Sequence, residues 1–141
     1  MPTPSDIKKA LLKAGFEVYQ TRGDVVHVAE RVRENLLMDS GIRVHATPPT
    51  VRFVVRAQRN DFPGDGDEHL FQRARVLADP AVDRGYSEVE TTVTQVFDPG
   101  DSGRTLDTWC EVSFEKTVGD VDTAMDEVRF VLSLEKAASR R

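Results

Sequence analysis

The chain has 141 residues, 39% of them hydrophobic and 30% charged, which predicts one soluble globular domain over 1–141 rather than a disordered chain. A net charge of −5 disfavours nucleic-acid binding, and no apolar run approaches the roughly 20 residues of a membrane span. With Cys110 as the single cysteine and no signal peptide at the start, we expect a cytoplasmic protein without an internal disulfide.

The first elements along the chain are a helix and a β-hairpin. Ser5 or Asp6 can cap a helix that ends at Gly15, and its apolar stripe consists of Ile7, Ala10, Leu11 and Ala14. The segments FEVYQ and VVHVAERV flank the turn TRGD, so residues 16–32 are predicted to form a hairpin.

Residues 29–40 fit two structures. A helix would align Ala29, Val32 and Leu36, whereas one long strand would align Val26, Val28, Val32, Leu36 and Met38. We favour a strand, because the segment continues one and Gly41 follows it. GIRVHA and TVRFVVRAQ then predict better strands, and Arg52 and Arg56 point away from the apolar side of the second one.

A second helix is predicted after the loop NDFPGDGD. Asp67 can cap it, and it extends from Glu68 to about Asp79, where Asp79-Pro80 interrupts it before Gly85 closes the segment. Its side chains toward the core are Leu70, Phe71, Ala74, Leu77 and Ala78.

The strongest β pattern is a long hairpin, in which YSEVETTVTQVF and TLDTWCEVSFEKTV flank the turn formers DPGDSGR. One side carries Val89, Val93 and Phe97 together with Cys110, Val112 and Phe114. The other side carries Glu88, Glu90, Thr92 and Thr94 together with Trp109, Glu111 and Glu115. The only tryptophan therefore lies on the acidic side of its strand.

The last predicted element is a helix capped by Asp120. One face carries Val121, Ala124, Met125, Val128, Val131, Leu132 and Glu135. Phe130 and Leu134 lie off that stripe, which is typical of a helix buried on two sides. The order α-β-β-(β)-β-α-β-β-α predicts an α+β fold, with an antiparallel sheet of about five to six strands and helices on one face.

No motif in the chain specifies a reaction. The acidic residues Asp61, Asp65, Asp67 and Glu68 lack the spacing of a calcium loop, and the histidines form no zinc motif. Cys110 lies on an apolar strand face, where a cysteine packs as a small hydrophobic residue rather than acting as a nucleophile. We therefore predict no catalytic residue, cofactor or metal ion, and we lean toward a protein that is not an enzyme.

Trp109 suggests a binding surface. Exposure of an indole forgoes about 1.5–3 kcal/mol of burial, and tryptophan is enriched at protein interfaces. Either Tyr86, Val96 or a loop covers Trp109, or the register is off by one residue, or the side chain belongs to an interface for a second copy or another protein. The interface candidates are Trp109, Val96, Thr92 and Thr94 on the sheet, and Phe130 and Leu134 on the last helix.

The element order resembles the type III secretion chaperone-like fold, shared with the YbjN family of small bacterial proteins. The resemblance covers PSDIKKALLKAG, FEVYQ, DEHLFQRARVLAD, the hairpin from Tyr86 to Val118 and DVDTAMDEVRFVLSLEKA. Such chaperones are acidic homodimers that bind an extended segment of a secreted protein. The resemblance therefore implies a non-enzymatic homodimer that acts on a protein or peptide partner.

The alternative is a small-molecule-binding protein or an enzyme. The long hairpin and the last helix would then enclose a pocket, as in helix-grip proteins, and its lining would include Val93, Cys110 and Phe114.

Overall fold

The computed structural model describes residues 2–139, and the side chains of residues 2–136. The elements in chain order are α1 (Pro4–Lys13), β1 (Glu17–Arg22), β2 (Val25–Arg33), β3 (Leu36–His45), β4 (Thr50–Gln58), a 3₁₀ turn (Arg59–Asp61), α2 (Asp67–Leu77), α3 (Asp79–Asp83), β5 (Ser87–Asp98), β6 (Asp101–Thr117) and α4 (Val121–Ser139). The strands form one antiparallel sheet in the order β1-β2-β3-β4-β6-β5. The predicted α+β class and strand number are confirmed.

The chain divides into two compact units. Unit 1 comprises Met1–Phe53 and Glu115–Arg141, and unit 2 comprises Val54–Phe114. Each has buried apolar side chains of its own. Those of unit 1 include Ile7, Leu11, Val26, Val28, Ile42, Val44, Val51, Phe53, Val128 and Val131, and those of unit 2 include Ala57, Leu70, Ala74, Ala78, Ala81, Cys110, Val112 and Phe114.

The first hairpin of unit 1 is confirmed, and residues 29–40 are strand apart from a turn at residues 34–35. They form two strands rather than one, because β2 ends at Arg33 and turns back, so that Arg33 pairs with Leu36 and Glu30 pairs with Met38. Gly41 lies inside β3 with a φ of 85°, near the place where the β2–β3 register shifts. A β-bulge explains a glycine there better than a strand end does.

Of the two predicted helix caps in unit 1, the cap of α1 is wrong and the cap of α4 is confirmed. Thr3 caps α1, instead of Ser5 or Asp6, and its hydroxyl accepts a hydrogen bond from the Asp6 backbone N–H. The Asp6 carboxylate in turn accepts a bond from the Thr3 backbone N–H, which completes a capping box. The predicted cap of the last helix is confirmed, since Asp120 accepts from the backbone N–H of Thr123 at 2.7 Å.

In unit 2, α2 begins one residue earlier than predicted. Gly66 is its N-cap and Asp67 is its first residue, whose carboxylate pairs with Arg59 instead of capping the helix. Asp79-Pro80 starts the short helix α3, because proline is compatible with the first turn of a helix.

The long hairpin is confirmed, with a tighter turn than predicted. Pro99 and Gly100 alone separate β5 from β6, so the DSGR segment belongs to a strand. On β6 the apolar side is buried, as Cys110, Val112 and Phe114 show. On β5 the apolar side chains of the same side, Val89, Val93 and Phe97, remain exposed, and β5 is an edge strand.

Candidate binding surface around Trp109

Trp109 is half-buried on β6, and Arg56 of the neighbouring strand β4 covers one face of its ring. The guanidinium carbon of Arg56 lies 3.8 Å from the ring centroid, which is a cation–π contact. The indole N–H donates a hydrogen bond to Asp107 Oδ2 at 3.0 Å. These two contacts explain how the indole is accommodated on the acidic side of its strand.

Arg56 is itself held by a carboxylate. Its Nη2 lies 3.1 Å from Glu111 Oε2, and the other oxygen of Glu111 accepts a hydrogen bond from the Thr94 hydroxyl at 3.2 Å. The chain of contacts thus joins β4, β6 and β5 on one face of unit 2. We refer to Arg56, Thr94, Asp107, Trp109 and Glu111 as the Trp109 patch.

Asp107 fixes the other end of the patch. Its Oδ1 accepts hydrogen bonds from the backbone N–H groups of Asn60 at 3.1 Å and Thr108 at 2.7 Å. The Asn60 side chain also donates to the Leu106 carbonyl at 3.0 Å, which attaches the 3₁₀ turn to β6. Backbone N–H groups therefore hold in place the carboxylate that orients the indole. No local pattern indicates this role of Asp107, since Asn60 is 47 residues away.

The predicted interface residues lie in both units. Thr94 belongs to the Trp109 patch, Val96 is half-buried on the same strand, and Thr92 is exposed. Phe130 and Leu134 are half-buried on α4 and belong to unit 1. The structure therefore brings Thr94 and Trp109 into one patch of unit 2.

Two titratable side chains outside the patch have shifted pKa values. Burial raises the pKa of the fully buried Cys110 thiol, which disfavours its reactive thiolate form. His27 has a lowered pKa, because of burial and of the nearby Arg43, and its Nδ1 lies 3.2 Å from Gln20 Nε2. Among the described side chains, no three His, Cys, Asp or Glu residues are grouped closely enough to hold a metal ion. The patch offers contacts to a ligand, and its residues include no activated nucleophile.

Unit 2 also contains an open cleft of about 460 Å³ beside α2 and α3. An ion pair between Arg75 Nε and Glu88 Oε1, 2.8 Å apart, belongs to its lining. Of the three residues expected in a pocket, Phe114 lines this cleft, whereas Cys110 is fully buried and Val93 is exposed.

Comparison of the chain with protein-family models, curated proteins and solved structures returns no match. Within the described part of the chain, no helix has both the length and the apolar character needed to cross a membrane.

Proposed function

We propose that this chain is a non-enzymatic cytoplasmic domain that binds a protein or peptide partner through the Trp109 patch and acts as a homodimer. The observation that carries the proposal is the half-buried indole held between Arg56 and Asp107. Tryptophan and arginine dominate the energetics of protein interfaces. Because both side chains are already fixed, a partner would not have to immobilise them, which lowers the entropic cost of binding.

The chemistry around the indole favours a partner segment that combines an apolar side chain with basic ones. Asp107 and Glu111 flank Trp109 on its strand, and the chain as a whole carries a net charge of −5. An extended partner segment is also what the resemblance to type III secretion chaperone-like and YbjN proteins implies, a resemblance that rests on the order of helices and strands.

Selection from a library of random peptides tests this proposal, because it does not require the partner to be identified first. Enriched peptides should change the emission of Trp109, which is the only tryptophan, and should be rich in aromatic and basic residues. Trp109→Ala should reduce their affinity at least tenfold, the size of effect typical of an interface hot spot. Tyr19→Ala is the matched control, since Tyr19 is an exposed aromatic on a strand of unit 1. A library that yields no binder, or binders insensitive to Trp109→Ala, would contradict the proposal.

The cleft beside α2 and α3 supports a second candidate function, the binding of a small molecule. Its volume of about 460 Å³ lies within the range of ligand sites in proteins. A ligand screen by thermal shift tests it, because a bound molecule raises the melting temperature by mass action. A reproducible rise that Arg75→Ala abolishes would favour the cleft over the Trp109 patch as the functional site.

A further inference from the structure

Strand β5 forms one edge of the sheet, and it lacks some of the features that commonly keep edge strands from pairing, although it carries the acidic side chains Glu88, Glu90 and Asp98. It is 12 residues long, and its sequence SEVETTVTQVFD contains no lysine, arginine or proline. The other edge strand, β1, has six residues, and its pairing with β2 is irregular between Val18 and Gln20. Of the two edges, β5 is therefore the longer and less protected template for another strand.

Three apolar side chains follow this edge at intervals of four residues. Val89, Val93 and Phe97 are 43%, 44% and 49% exposed, and we call them the β5 row. Side chains two and four positions apart lie on one face of a strand, so the row lies on one side of the sheet, with Thr91 and Gln95 between its members. The row is also symmetric about its middle member, Val93.

That symmetry makes β5 complementary to itself. If two β5 strands pair antiparallel about a two-fold axis at Val93, then Val93 lies opposite Val93 and Val89 lies opposite Phe97 of the second copy. An axis at residue 92 or 94 would place Val93 opposite Thr91 or Gln95, and no two members of the row would meet. The axis at Val93 is the register that gives each member of the row an apolar neighbour.

The charges on β5 are compatible with this register. The one like-charged pair would be Glu88 with Asp98 of the second copy. Within its own chain, Glu88 is bound by Arg75 at 2.8 Å, and Asp98 lies 4.0 Å from Arg104. Each carboxylate therefore has an arginine of its own chain beside it, which reduces the repulsion between the two carboxylates across the contact.

We propose that two copies of the chain pair along β5 about a two-fold axis at Val93, so that two six-stranded sheets become one continuous sheet. The contact is isologous and closes as a dimer, because the same edge of both copies is used. The inference rests on the homodimer of the proposed function, and it is independent of the Trp109 patch as a partner site.

Engineered cysteines test the register directly. Residues opposite each other in an antiparallel pair have Cα atoms about 4.5–5.5 Å apart, within the range of a disulfide. Val93→Cys should therefore yield, on oxidation, a covalent dimer of twice 15.8 kDa. Val89→Cys should not, since two copies of residue 89 would be eight residues apart along the pair, or about 26 Å. Combining Val89→Cys with Phe97→Cys should restore cross-linking, and the native Cys110 is buried and does not compete.

Solution mass by light scattering tests the same contact without a cross-link. Val93→Arg places two guanidinium groups opposite each other, and the mass should fall from twice 15.8 kDa to 15.8 kDa. Val32→Arg is the matched control, since Val32 lies on β2 with 51% exposure, and this variant should remain dimeric. Circular dichroism checks that both variants fold. If Val93→Arg does not fold, the cross-linking of Val93→Cys decides whether β5 forms the contact.

The outcomes separate this inference from the proposed function. If the wild type is a dimer and the Val93→Arg variant is still a dimer, or if Val93→Cys gives no cross-link, the β5 contact is wrong. The homodimer would then form through another surface. A wild-type monomer at the highest soluble concentration overturns both the contact and the homodimer, and makes the β5 edge available to a strand from another protein. Neither result changes what the peptide selection says about Trp109.

Discussion

Glu135 provides a sharp test of the packing in unit 1. This carboxyl is half-buried on α4, and burial together with the nearby carboxylate of Glu30 raises its pKa from 4.5 to about 8. The folded chain therefore keeps the proton on Glu135 over a range of pH in which the unfolded chain has lost it. Replacement by glutamine, which resembles the protonated acid in shape and charge, should remove this linkage between pH and stability.

The sign and size of the effect follow from the two pKa values. Between pH 4.5 and about 8 the folded state binds more protons than the unfolded state, so the free energy of unfolding must fall as pH rises. A pKa difference of one unit corresponds to about 1.4 kcal/mol, so the total loss across this window is at most about 5 kcal/mol. Below pH 4.5 both states are protonated, and Glu135 contributes no slope.

Urea unfolding of wild type and Glu135→Gln from pH 4.5 to 9 measures this loss. The variant should match wild type at the acidic end and exceed it progressively as pH rises. His27 contributes a slope of opposite sign below pH 6.5, because its pKa is lowered in the folded state, but this slope is common to both proteins and cancels in the difference. Glu30→Gln should reduce the slope in part, and Glu34→Gln, in the exposed turn after β2, is the control. Parallel curves for wild type and Glu135→Gln would refute the reasoning.

Two further predictions concern the caps and the cysteine. Thr3→Ala removes the capping box of α1 and should lower the free energy of unfolding by about 1 kcal/mol, whereas Thr3→Ser should retain most of the stabilisation. Urea unfolding compares wild type with the two variants, and equal midpoints would contradict the assigned cap. Because Cys110 is buried and its pKa is raised, a thiol reagent should modify the native protein at pH 8 no faster than the protein unfolds. Modification at the rate of an exposed thiol would mean that the apolar side of β6 is accessible to solvent.

The periodicity of the sequence predicts the α+β class and the approximate number of strands, because most elements are governed by local patterns. Alternation located both hairpins, and turn residues marked their ends. Residues 29–40 show the limit of this approach. Arg33 and Leu36 pair across a two-residue turn that contains neither glycine nor proline, so the apolar alternation continued through it and one strand could not be distinguished from two.

The candidate site depended on contacts between distant residues, which the sequence pattern does not encode. Alternation put Trp109 and Arg56 on the polar faces of their strands, but their stacking follows from the adjacency of β4 and β6, which are separated by two helices and β5 in the chain. Likewise, the apolar spacing of Val89, Val93 and Phe97 indicated a common face. That β5 is the last strand of the sheet and that these side chains are exposed are properties of the tertiary structure, which the spacing does not encode.

The two proposed contacts use different parts of the same hairpin, which makes them compatible. The dimer contact uses the outer backbone of β5 and the row on the side of Cys110, whereas the Trp109 patch lies on the other side of β6. Pairing of two β5 strands would place two β6 strands three strand spacings apart, or about 14 Å, with both Trp109 patches on one side of the joined sheet. A partner segment long enough to reach both patches would bind the dimer more tightly than it binds one patch, so its affinity would depend on avidity as well as on the indole itself. Such a partner would use both proposed contacts of the chain, the β5 edge and the Trp109 patch.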